Sequence, residues 1–125
     1  MKTMIHTANA PAAAGPYSQA IEVPGLVFVS GQLPIRFEDG QIPEGVEAQA
    51  KVSLDNVMAI LKEAGCTAAD VVKTTVFLKD IQDFAKVNSL YAQYFPSPYP
   101  ARSCFEVGAL PKDALVEVEA IAVKR

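Results

Sequence analysis

The chain has 125 residues, half of them hydrophobic and a fifth charged, which fits one ordered domain with a core that needs no disulfide staples. A net charge of −3, with no cluster of Lys or Arg, argues against an electrostatic grip on nucleic acid, and no segment approaches the roughly 20 apolar residues that cross a bilayer. Cys66 and Cys104 form no CxxC pair and His6 is the single histidine, so neither a zinc site nor a disulfide framework is expected; with no signal-peptide pattern at Met1–His6, the setting expected is cytoplasmic and reducing.

In chain order, Lys2–Thr7 can form a short strand, and Ala8–Ser18, with Pro11 and Gly15-Pro16, is a loop. Ile21–Val23 and Leu26–Ser30 are apolar runs joined by Pro24-Gly25, a hairpin signal. From Val46 to Ala64 the period lengthens: Val46, Ala50, Leu54, Val57, Leu61 and Ala64 make one stripe of an amphipathic helix, with Gly65 placed as a left-handed cap. Thr67–Asp70 resembles a capped turn, and Val71–Leu78, rich in Val and Thr, is a strand. Ile81, Phe84, Val87, Tyr91 and Tyr94 mark a second helix that stops before Pro96. The stiff loop Phe95–Pro100 precedes Arg102, and Ser103–Val107 and Leu115–Val123 are the last strands.

The fold class expected is α+β, in the order β-β-β-α-β-α-β-β, with two helices on one face of a mixed sheet in a single domain, 1–125. Two helices cover one face only. Yet Leu26–Val29, Val71-Val72 and Val76–Leu78 are apolar on both parities, so the uncovered face calls for copies of the same chain, in a closed ring of three rather than two.

Two residues carry chemistry on this reading. Arg102, at a strand entrance, offers a planar fork matched to a small organic carboxylate; the plain alternative is a solvated or ion-paired arginine. Glu117 lies in an alternating apolar strand, on the side of Leu115, Glu119, Ile121 and Val123; that side is either solvated or an interface with a polar pocket. For Cys104, with no histidine or helix start beside it, a small buried hydrophobe is favoured over a nucleophile. Ser30-Gly31 is a turn or a pair of exposed backbone donors, Tyr17 a pocket lid or a core cap, and Asn88 a solvent-facing break in its helix or a site residue.

The run Pro100–Glu119, together with Ala13–Ala20 and Val29–Gln32, resembles the reactive intermediate deaminase family, the YjgF-like proteins, over essentially the whole chain. The resemblance implies a homotrimer of the trimeric chorismate-mutase type, with sites between subunits and neither cofactor nor metal. It implies hydrolysis of 2-imino and 2-enamino acids, such as 2-aminoacrylate and 2-iminobutyrate, to 2-keto acids and ammonia. Carried over by position, Arg102 grips the substrate carboxylate, Glu117 positions a water, and Tyr17, Ser30, Gly31, Asn88 and Cys104 line the pocket; Val118, where Ile or Met is more usual, is a conservative departure. The alternative is a non-catalytic trimer that binds small 2-keto acids. Ribonuclease activity, attached to some relatives, is disfavoured by the acidic balance.

Overall fold

Side-chain alternation in the last strand decides the layering of the computed structural model, which describes residues 1–125. In β6 (Val116–Val123), Val116, Val118, Ala120 and Ala122 are buried, whereas Glu117, Glu119 and Ile121 face the other way and stay partly open. The remaining elements are β1 (Thr3–Ile5), β2 (Ala20–Val23), β3 (Leu26–Gln32), α1 (Val46–Glu63), β4 (Val71–Leu78), α2 (Phe84–Tyr94) and β5 (Ala101–Glu106). They build one six-stranded sheet in the order β1-β2-β3-β6-β4-β5. It is mixed, since β4 and β5 run parallel and every other pairing is antiparallel.

The expected stripe of α1 seals the inner face, joined by Ile60, which the stripe did not include: Leu54, Val57, Ile60 and Leu61 are essentially inaccessible, each burial worth about 2 kcal/mol. Gly65 is left-handed with φ of 81°, as a helix-terminating glycine should be, and Thr67 and Asp70 close a capping box. Several boundaries differ from expectation. Ile81–Asp83 is a separate 3-10 turn before α2, because the Asp80 carboxylate accepts from the Gln82 N–H and stops a longer helix. Strand β5 begins at Ala101, so Arg102 lies inside the strand rather than ahead of it.

A larger difference lies in strand order. The last two strands are consecutive in the chain but not neighbours, because β4 lies between them. The β4-α2-β5 crossover lays β5 parallel to β4 at the sheet edge, and β6 returns to the other side of β4. The uncovered face carries Phe28 and Phe105, 42% and 46% exposed, with Phe77 edge-on to Phe105 at 5.4 Å between ring centres. No helix is long and apolar enough to cross a membrane.

Candidate active site

Arg102 pairs in register with Thr74 and Cys104 with Val76, both buried on the helix-covered face. Their side chains therefore point under α2. Asn88 Oδ1 accepts a hydrogen bond from Arg102 Nη1 at 2.7 Å, so Asn88, although exposed as a solvent-facing residue would be, is also a partner of Arg102. The guanidinium carbon lies 4.7 Å from the Tyr91 ring centre and 5.4 Å from that of Phe84. Beside it opens a cavity of about 380 Å³ lined by Asn88, Tyr91, Ala92, Tyr99, Pro100 and Arg102. Burial pushes the Cys104 thiol up, only partly offset by Arg102, so it remains a protonated packing group and not a thiolate.

Glu117 pairs with Phe77 on the uncovered face. Opposite it, β3 is irregular: Val29 pairs with Ala120 and Gln32 with Val118, so Ser30 and Gly31 together face the single residue Glu119. This bulge re-aims the strand and brings the Gly31 backbone against Glu117. The Glu117 carboxylate occupies the space a Cβ at position 31 would fill, so any side chain there would displace Glu117 from its present position. Burial first, and then the neighbouring Glu119 charge, raise the Glu117 pKa above the ordinary carboxylate range, as suits a proton acceptor. Tyr17, Ser30, Gly31 and Glu117 line one cavity of about 580 Å³, with Lys112 on its wall.

Ser30 does not present free donors. Its N–H donates to the Gln19 carbonyl at 2.9 Å, and its hydroxyl donates to the Ser18 carbonyl at 2.6 Å. It therefore fixes the loop that carries the exposed Tyr17, in concert with the buried Gln19.

The structure thus gathers the expected residues into two groups. Arg102 and Cys104 of β5 point under α2, with Asn88 on that helix; Glu117, Gly31, Ser30 and Tyr17 stand on the opposite face. Within one chain Arg102 and Glu117 do not meet, because β4 separates their strands and the register turns them to opposite faces; the site expected from the sequence is one between subunits. Sequence reasoning also passed over Phe84 and Tyr91 as a mere apolar stripe. Their signal was available: residues 84, 88 and 91 fall on one helical face, with an asparagine between two aromatics. Lys112, with φ of 58°, had no comparable cue. No group of three or more His, Cys, Asp or Glu side chains gathers anywhere to hold a metal ion.

The family model described as Endoribonuclease L-PSP matches residues 7–124. A RutC family protein of Haemophilus influenzae is 53% identical over 129 residues, covering 100% of this chain and 99% of its own. The 2-iminobutanoate/2-iminopropanoate deaminase of Escherichia coli K12 is 51% identical over 128 residues, with 100% of both chains covered. Among solved structures, Escherichia coli TdcF with bound serine matches at a TM-score of 0.94 and 44% identity, over 98% of this chain and 99% of that one.

Proposed function

The chain belongs to the endoribonuclease L-PSP family, that of the reactive intermediate deaminases, and we propose that it does their chemistry with a site shared between subunits. It hydrolyses reactive 2-imino and 2-enamino acids, of the 2-aminoacrylate and 2-iminobutyrate type, to 2-keto acids and ammonia. The observation that carries this reading is Arg102: one edge is tied to Asn88 and the plane is backed by aromatic rings, which leaves the rest of the fork for a carboxylate.

In this mechanism Arg102 binds the substrate carboxylate and fixes the imine carbon. Glu117 takes a proton from a water as its oxygen adds to that carbon, giving a carbinolamine. Glu117 returns that proton to the imine nitrogen, making it NH2; the carbinolamine hydroxyl then gives up its own proton, through Glu117, to the same nitrogen, and ammonia leaves as the C–N bond breaks and the C=O bond forms. The Cys104 thiol need not react. No cofactor enters the scheme.

The separation of the two groups supports a closed ring of three copies. Setting the β5 edge of one subunit over the uncovered face of the next would cover Phe28 and Phe105 and bring Arg102 of one chain to Glu117 of its neighbour. The test generates 2-aminoacrylate in situ with a dehydratase and follows keto-acid formation. Wild-type protein accelerates it; Arg102→Ala returns it to the spontaneous rate, a loss of at least about a hundredfold. Full activity in that variant removes the proposal.

A further inference from the structure

Three side chains of α2 reach a single guanidinium, and only one of them, Asn88, is a hydrogen-bond partner. Of the five N–H bonds a guanidinium carries, one is directed to Asn88 and no other has a partner in the chain. A fork held by one bond alone could swivel about it; what stops the swivel here is the ring beneath. Tyr91 is 4% exposed, and its phenolic oxygen lies 2.6 Å from the hydroxyl of Thr74, which is fully buried. On its flank the Phe95 ring sits 4.5 Å away, centre to centre. The Tyr91 ring is therefore fixed by packing and by a buried hydroxyl pair, and its face is the floor on which Arg102 lies.

We infer that Tyr91 is a positioning residue of the deaminase site: it holds the plane of the Arg102 guanidinium so that two N–H groups meet the substrate carboxylate together. The inference rests on the function proposed above. Tyr91 does not touch the reacting atoms and acts through Arg102. The hydroxyl serves the ring through Thr74, and the ring serves the arginine. Phe84, 37% exposed, extends the same floor outward.

A double-mutant cycle tests this, read both as KM for the imine and as affinity for pyruvate, the keto-acid probe, by calorimetry. Tyr91→Leu raises KM and weakens pyruvate binding about tenfold, with kcat changed far less. Tyr91→Phe keeps the ring face but loses the bond to Thr74, so its KM lies between those of wild type and Tyr91→Leu, and much nearer wild type. Arg102→Lys, which keeps charge but loses the plane, costs much in the wild-type background and little beside Tyr91→Leu. Equal cost of Arg102→Lys in both backgrounds, or a Tyr91→Leu protein that melts lower but keeps its KM, overturns the inference. If Tyr91→Leu does not fold, Phe84→Leu in the same cycle decides, with coupling expected at about threefold and its absence counting against the idea. Wild-type protein that binds pyruvate without accelerating imine loss defeats the deaminase reading alone; the pyruvate affinities of the cycle then decide the role of Tyr91 by themselves.

Discussion

Glu117 is the residue whose surroundings do most to define its chemistry. Its carboxylate rests on the bare Gly31 backbone, half withdrawn from water, with Glu119 two positions away on the same face. Burial is the larger cause of its raised pKa and Glu119 the smaller. As a proton acceptor it must be ionised, so activity should rise with pH along a limb set above the ordinary Glu range. Glu119→Gln removes the repulsion and should move that limb toward lower pH without abolishing activity, as a pH profile of kcat/KM will read. The folded carboxyl holds its proton more tightly than the unfolded one. Its contribution to stability is therefore greatest below the ordinary Glu range and declines as pH rises through the raised value. At this scale the sequence was informative where one strand's own pattern sufficed, as for Glu117 between Val116 and Val118. It was silent where a contact joins distant segments, as for Asn88 with Arg102, whose bond depends on how α2 lies over β5.

Among the elements, the loop from Thr7 to Ser18 shows how irregular chain is made into a rigid wall. Gln19 is 2% exposed and works as an internal bracket: its amide oxygen accepts from the Thr7 N–H, and its amide nitrogen donates to the carbonyls of Thr7, Ala10 and Pro11. Gln19→Ala strands these backbone groups and should destabilise the protein by about 3 kcal/mol, measured by urea unfolding. The loop itself was legible from Pro11 and Gly15-Pro16, but its bracket was not, since a glutamine in a sequence carries no sign of burial. Helix α1 was legible because its stripe repeats over nearly five turns, and the β2–β3 hairpin because Pro24-Gly25 lies between apolar runs. Strand adjacency was not. A short connection between β5 and β6 invites pairing them, and only the parallel crossover through α2 places β4 between.

For the whole molecule, the exposed Phe28 and Phe105 and the divided site point to one arrangement, and mixing inactive variants examines it directly. On the shared-site proposal, Arg102→Ala and Glu117→Ala proteins should each be inactive alone. Unfolded together at equal amounts and refolded, they should recover about one quarter of wild-type activity, because one junction in four joins an intact arginine to an intact glutamate. A site held within a single chain would recover nothing. The apolar uncovered face was readable from strands hydrophobic on both parities, which is why a ring could be expected before any coordinates.

The bulge at Ser30-Gly31 and the edge position of β5 have a joint consequence for how activity depends on concentration. No rotation of side chains can carry Arg102 through a β-sheet to Glu117, so on the shared-site proposal a solitary polypeptide lacks a complete site. Imine hydrolysis per chain should then fall on dilution, as a concentration series will read.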